Sequence, residues 1–328
     1  HQWEELEKSG CIDNFRILAG SKEGFREGWF FADSDAFKWL DAAARVYAHD
    51  PAPKLKKLMD DFIELIEQTQ SPDGYLYTYN QLLFPGKRWI NLLIEHELYC
   101  HGHLIEAGVS HFQATGENRL LKLVRKSADC IVSHFMGKEP DLTPGHQEIE
   151  IALLRLYEVT HHEPYLNMAE QFILERGKIK GFIPKLVKQF INVGKREKEA
   201  KTKLTIYKAE HGQDSVKSLP PTNFAKHSPL TNIRWYINSL QGKYFQQHQP
   251  LIEQVVPVGH SVRFAYLQTA AAKLCQVKPN PKLQESLEQS WNHMVERRMY
   301  VTGGIGSLPA IEGFGRDYEL DPEFAYAE

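Results

Sequence analysis

Apolar residues recur every three or four positions along most of the chain, which is the spacing of α-helices. Residues 120–135 carry apolar side chains on one face, as in an amphipathic helix. Residues 149–159 are apolar around most of the circumference, so we expect that helix to be buried on several sides. Residues 37–47 and 55–66 form another helical pair, separated by a proline-containing turn.

The helices occur in pairs, and the pairs repeat roughly every 45 residues. Copies begin at Gly102-His103, Gly145-His146 and Gly259-His260. In each pair one helix is apolar and its partner is amphipathic, as expected for the inner and outer helices of a double-layered ring. An open solenoid would give the same periodicity. The recurring Gly-His at the start of the buried helices favours a closed ring, which would bring these residues to one mouth.

We treat residues 1–328 as one domain, with a polar surface excursion at residues 194–228. That segment is rich in lysine and contains Pro220-Pro221. Acidic neighbours offset its basic cluster, so we expect a solvated face rather than a nucleic-acid site. The cluster comprises Lys195, Arg196, Lys198, Lys201 and Lys203.

Composition narrows the function classes without selecting one. Hydrophobic residues make up 42% and charged residues 25%, which predicts a globular protein with a buried core. A net charge of -3 gives no electrostatic reason to expect a nucleic-acid or membrane partner, and no apolar run reaches the length of a membrane span. No signal sequence is visible, which favours the cytoplasm, although the chain begins at His1 rather than methionine.

Four cysteines, Cys11, Cys100, Cys130 and Cys275, are scattered along the chain. They form neither a zinc-knuckle spacing nor a dense disulfide framework, so we expect buried free thiols. The sequence also lacks a phosphate-binding loop, a nucleophilic-serine elbow and an HExxH helix.

Three histidines, His96, His146 and His260, stand at the predicted starts of apolar helices. An imidazole there can donate or accept a hydrogen bond with a ligand hydroxyl group. Simple capping or packing of a helix end would explain each of them equally well. Glu312 lies in a loop with glycine and aromatic neighbours, where apolar surroundings can raise a carboxyl pKa toward the range of a proton donor. It is one candidate acid among several, which include Glu95, Glu97, Glu148 and Glu150.

A set of motifs in a fixed order resembles glycoside hydrolase family 127, whose characterised type is a β-L-arabinofuranosidase. The motifs are Asp33-Ser34-Asp35, Asp73-Gly74-Tyr75-Leu76, His96-Glu97-Leu98-Tyr99-Cys100, Gly102-His103-Leu104, Gly145-His146-Gln147-Glu148, Gly259-His260-Ser261 and Tyr300-Val301-Thr302-Gly303-Gly304. The resemblance covers nearly the whole chain. Each motif is weak alone, and their order makes the set specific.

The resemblance implies an all-α (α/α)6 barrel and a retaining hydrolase that uses a cysteine nucleophile held on zinc. His96, His146 and His260 match the family's sugar-binding histidines, and Glu312 matches its general acid/base. Glu328, sixteen residues further on, matches a zinc-binding glutamate. The substrate implied is a plant-type arabinoside or related pentoside.

The family's zinc-binding cysteines would follow Glu328, and none of the four cysteines here matches them. We therefore expect a barrel that is incomplete at its C-terminal end and a chain that neither binds zinc tightly nor hydrolyses arabinofuranosides. One local departure concerns the acid: the family commonly has Gly-Glu-Ala/Ser-Phe where this chain has Ile311-Glu312-Gly313-Phe314.

Other functions stay open on the same barrel. A metal-free sugar epimerase or an unsaturated-uronyl hydrolase would use the same histidines and acids, since one fold hosts several chemistries. A helical-toroid sugar-binding protein or an inactive fragment is the non-enzyme alternative. A homodimer is compatible with all of these functions.

Overall fold

The computed structural model of the protein describes residues 1–213, 216 and 229–322. Helices are the dominant element of this part of the chain, and their bounds follow. They are α1 Gln2–Lys8, α2 Cys11–Leu18, α3 Asp33–His49, α4 Pro53–Thr69, α5 Glu97–Thr115, α6 Asn118–Phe135, α7 Ile149–Thr160, α8 Glu163–Leu174, α9 Phe182–His211, α10 Pro229–Leu240, α11 Ser261–Val277 and α12 Pro281–Arg297.

The helices form two layers, as the alternation of apolar and amphipathic segments predicts. Helix α5 packs most extensively on α3, and then on α7, while α7 also packs on α11. These four helices are the inner layer. Behind them lie α4, α6, α8 and α12, each paired with the inner helix that precedes it. The prediction of an all-α (α/α)6 barrel is confirmed, and the described residues contribute four of its helical hairpins.

The hydrophobic core lies between the two layers. The exposed surfaces of Ile63, Leu104, Val124, Leu153 and Phe172 are all at or below 1% of their full values. Helix α7 buries nearly every residue from Ile149 to Leu156, as its apolar circumference predicts. Burial of this many aliphatic and aromatic side chains is the main stabilising contribution to such a fold.

Helix boundaries follow from local chemistry that the sequence displays. Helices α4 and α12 each begin with a proline at the first helical position, where its missing N–H costs no hydrogen bond. Asn280 caps α12 by accepting a hydrogen bond from the Leu283 N–H at 3.2 Å. Such signals place the predicted segments within a few residues of their observed bounds.

The structure corrects one prediction about organisation and a single residue of another. Gly102-His103 does not start a buried helix, because it lies in the second turn of α5; His96 is the residue that precedes that helix. Residues 194–211 are the second part of the 30-residue helix α9. Arg196, placed on a solvated face by the sequence, is only 7% exposed. Residues 214, 215 and 217–228 of the predicted excursion lie outside the described residues. Among the described helices, none combines the length and apolarity needed to cross a membrane.

Candidate functional site

The three predicted histidines meet at one end of the inner layer. His96 directly precedes α5, His146 lies three residues before α7, and His260 directly precedes α11. The ring centroids of His96 and His146 are 4.9 Å apart, and those of His146 and His260 are 5.5 Å apart. The fold therefore brings three helix starts into one polar mouth, although the first and the last are more than 160 residues apart in the sequence.

Aromatic rings surround this mouth, and sequence reasoning assigned no role to them. Tyr99 lies 4.4 Å from the ring of His146, and Tyr266 lies 5.9 Å from it. Tyr244 is 5.5 Å from His260. Apolar walls with a few convergent polar groups are typical of small-molecule sites. The sequence held one signal for Tyr99, because it follows His96 by three residues and so lies in the first turn of the helix that His96 precedes.

The imidazoles are neutral because burial opposes their charged forms. Burial lowers the pKa of His96 and of His146 well below the usual value, and the nearby Arg263 guanidinium lowers both pKa values further. The Nδ1 atom of His96 lies 3.1 Å from the Ile94 carbonyl oxygen, and that of His146 lies 2.8 Å from the Gln147 carbonyl oxygen. In a neutral ring Nδ1 then carries the proton and donates it, so Nε2 is left as an acceptor.

Glu312 joins the histidines at the mouth. Its Oε2 atom lies 2.9 Å from Nε2 of His260, while 46% of the side chain stays exposed. The Ser261 N–H and the Ser261 hydroxyl group both donate to the Glu312 carbonyl oxygen at 2.9 Å. Burial lowers the pKa of His260, and the hydrogen bond to Glu312 partly opposes that effect. A carboxyl group held this way can exchange a proton with a solvent-accessible ligand.

The residue after Glu312 has to be small. A Cβ atom built on Gly313 would lie 2.0 Å from the carbonyl oxygen of Gly259, which no side chain tolerates. The Phe314 N–H donates to that same oxygen at 2.9 Å. The glycine in Ile311-Glu312-Gly313-Phe314 thus allows the acid-bearing loop to pack directly against the start of α11.

Buried arginines hold the His146 loop. Arg176 forms an ion pair with Glu150 at 3.0 Å, both side chains are fully buried, and Arg176 also donates to the Pro144 carbonyl oxygen at 2.6 Å. Arg263 donates to the Gly145 carbonyl oxygen at 2.8 Å. A Cβ atom on Gly145 would lie 2.1 Å from the Leu93 carbonyl oxygen, so the two loops that carry His96 and His146 are in direct contact.

The other four candidate acids are buried inside the fold. Glu97 is 1% exposed and accepts hydrogen bonds from the Trp89 N–H at 2.8 Å, from Asn80 at 3.0 Å and from the Tyr75 hydroxyl group. Burial raises its pKa to about 7. Glu95, Glu148 and Glu150 are 3% exposed or less. Of the five candidates, Glu312 alone combines exposure with a place at the mouth.

The predicted zinc site cannot be assembled from the described residues. Glu328 lies outside them. Cys11, Cys100 and Cys130 are buried, Cys275 is half-buried, and burial raises the pKa of all four thiols, so they stay protonated. None of them joins a cluster of three metal-ligating side chains in the described part of the chain.

One group of metal-ligating residues does occur in the described part of the chain, at a distance from His96, His146 and His260. Asp60, His111 and Glu117 place their ligand atoms within 4.8 Å of one another. His111 lies near the end of α5, whereas His96 precedes its start. The Lys56 ammonium group already contacts Asp60 at 2.5 Å and Glu117 at 3.0 Å. A protein cation therefore balances these carboxylates.

Comparisons with known proteins agree on one family. The family model described as β-L-arabinofuranosidase, GH127 catalytic domain, matches residues 2–328. A non-reducing end β-L-arabinofuranosidase of Bifidobacterium longum subsp. longum is 33% identical over an alignment of 327 residues, which covers 98% of this chain and 44% of that protein. The crystal structure of Ara127N-Se, a GH127 β-L-arabinofuranosidase from Geobacillus stearothermophilus T6, superposes with a TM-score of 0.80 at 38% identity.

That superposition covers 100% of this chain and 47% of the solved one. A second solved GH127 β-arabinofuranosidase gives a TM-score of 0.74 at 28% identity, and covers 99% of this chain and 44% of its own. The chain thus spans slightly less than half the length of the relatives it matches.

Proposed function

Because the chain belongs to glycoside hydrolase family 127, we propose that it forms the sugar-holding and proton-donating part of a β-L-arabinofuranosidase-like hydrolase. The proposed substrate is a plant-type arabinoside or a related pentoside. The observation that carries the proposal is the convergence of His96, His146 and His260 on a mouth that also holds the half-exposed Glu312.

The histidines are proposed to bind the hydroxyl groups of the sugar. Burial keeps the imidazoles neutral, so His96 and His146 each offer Nε2 as an acceptor, whereas a charged ring would only donate. Nε2 of His260 already contacts Glu312. Tyr99 and Tyr266 add ring surface beside His146, at 4.4 Å and 5.9 Å from its ring, and their own ring centroids are 6.4 Å apart. Such a wall can pack against the C–H face of a sugar while the imidazoles bind its edge.

Glu312 is proposed to protonate the leaving glycosidic oxygen. The acid must be protonated to do this and must reach the bond, and the 46% exposure of its side chain meets the second condition. His260, 2.9 Å from the carboxylate, fixes the orientation of the carboxyl group and can share its proton. In the second half of a retaining reaction the same carboxylate would accept a proton from water.

Zinc enters the proposal only through Glu328. Carboxylate oxygen is a normal zinc ligand, but one glutamate cannot make a four-coordinate site, and the buried protonated cysteines of the described residues do not supply the rest. We propose that this chain by itself neither holds stoichiometric zinc nor turns over an aryl β-L-arabinofuranoside. Metal analysis of the purified chain and a release assay for the aryl group test both statements.

Sugar binding is tested by titration of the chain with L-arabinose. We expect His146→Ala to weaken binding about two- to tenfold, as for loss of one hydrogen bond of about 0.5–1.5 kcal/mol. His49→Ala, an exposed histidine at the end of α3, is the matched control and should bind like the parent. Equal affinity of the His146→Ala variant and the parent would contradict the assigned site.

A further inference from the structure

Helix α9 belongs to neither layer of helical hairpins, yet its Arg196 contacts the loop that carries His96. The Arg196 guanidinium group lies 4.0 Å from the centre of the Phe84 ring and 5.4 Å from that of Tyr79. Its Nε atom is 3.1 Å from Oε1 of Glu95, and its Nη2 atom donates to the side-chain oxygen of Asn80. The Arg196 side chain is 9% exposed and the Glu95 side chain 2%, so water does not screen this ion pair.

Arg196 contacts one sequence neighbour of His96 directly and the other through Asn80. Glu95 precedes that histidine and meets the guanidinium group directly. Glu97 follows it and accepts a 3.0 Å hydrogen bond from the Asn80 amide, whose oxygen Arg196 holds. One cation therefore fixes the residues on either side of His96.

His96 needs such support because its own backbone lies outside the helix. Its φ of -89° and ψ of 40° are not helical, and the ring is anchored through a hydrogen bond to the Ile94 carbonyl oxygen at 3.1 Å. The same short loop carries Glu95. A movement of Glu95 is therefore transmitted to the anchor of the His96 ring.

We propose that Arg196 is a positioning residue for His96, and that α9 acts as an external brace of the sugar site. Without the guanidinium group, Glu95 would be a buried carboxylate that has lost its cation. It would then take up a proton or turn toward solvent, and either change displaces residues 94–96. The expected effect on sugar binding rests on the proposed function of His96, whereas the effect on the ring itself does not.

The test compares three variants of the full chain by NMR of the histidine rings, by L-arabinose titration and by thermal unfolding. Arg196→Met removes the cation at similar length, and Arg196→Lys keeps the charge but lacks the planar fork of N–H groups that meets Glu95 and Asn80 together. Lys198→Met is the matched control, because it removes an exposed lysine from the same helix.

We expect Arg196→Met to shift the His96 ring signals and to weaken L-arabinose binding about 2- to 30-fold, the range for residues that act on a site without touching the ligand. Arg196→Lys should recover part of both effects. Lys198→Met should change neither. If Arg196→Met does not fold, Arg196→Lys and Glu95→Gln provide the same test with smaller changes.

A folded Arg196→Met variant with unchanged His96 signals would overturn the proposal. So would a loss of sugar binding that merely follows the unfolded fraction measured by thermal unfolding. A shift of the His96 signals together with full L-arabinose binding by both Arg196→Met and His96→Ala would uphold the brace and refute the sugar-binding role of His96. The two hypotheses therefore fail in distinguishable ways.

Discussion

Gly145→Ala adds one methyl group where the loops that carry His96 and His146 meet. The new Cβ atom would lie 2.1 Å from the Leu93 carbonyl oxygen and 2.3 Å from the Leu93 Cα atom. Non-bonded heavy atoms need about 3.5 Å, so the loops would have to separate by roughly 1.4 Å. Both atoms belong to the backbone, and no rotamer change can relieve the clash.

The cost follows from what the separation breaks. The Gly145 N–H donates to the Leu92 carbonyl oxygen at 2.8 Å, and Arg263 donates to the Gly145 carbonyl oxygen at 2.8 Å. Weakening these bonds and overpacking the contact should lower the free energy of unfolding by about 2–4 kcal/mol. With an unfolding entropy of about 2.1 cal/mol/K per residue over 328 residues, this lowers the Tm by about 3–6 °C.

The assay is thermal unfolding together with NMR of the histidine rings. Gly194→Ala is the control, because Gly194 lies inside α9 with no heavy atom near its added Cβ. There alanine should raise the free energy of unfolding by about 1 kcal/mol through helix propensity. A Gly145→Ala chain with the parent's Tm and unchanged His96 and His146 signals would refute the proposed loop contact.

Two further predictions concern buried charge, and a third concerns the accessibility of a thiol. Burial raises the pKa of Glu97 to about 7, so the folded state keeps a proton that the unfolded chain releases near pH 4.5. The free energy of unfolding should therefore fall by about 3 kcal/mol between pH 4.5 and 7 in the parent, relative to the Glu97→Gln variant, when both are measured by urea unfolding. Parallel pH profiles of the parent and the variant would contradict this prediction. Arg176→Met leaves the Glu150 carboxylate buried without its cation and should lower the free energy of unfolding by about 3–5 kcal/mol. The control Arg119→Met removes one partner of an exposed ion pair and should lower it by about 1 kcal/mol or less. Equal Tm shifts of the two variants would contradict this prediction. Cys275 is half-buried, whereas the other three cysteines are buried, so iodoacetamide should alkylate Cys275 first in the native chain. Peptide mass spectrometry would identify the labelled residue. Earlier labelling of a buried thiol would contradict the described packing.

Local periodicity was enough to predict the helices of the ring. The predicted segment 120–135 lies within α6, and 149–159 lies within α7. These agreements arise because each helix buries the same face at every turn, so apolar residues recur in the sequence at helical spacing. The motifs then pointed to the family and to His96, His146, His260 and Glu312.

What the sequence did not reveal are contacts between residues far apart along the chain. The basic cluster on α9 reads as a solvated face, but Arg196 is buried against Glu95, and no periodic pattern marks one arginine among neighbouring lysines. Likewise, the 2.9 Å contact of His260 with Glu312 depends on Gly313 packing against Gly259. The sequence by itself determined the helices and their apolar faces, because these depend on neighbouring residues. The tertiary structure alone decided which polar groups became partners, because that depends on how the helices pack.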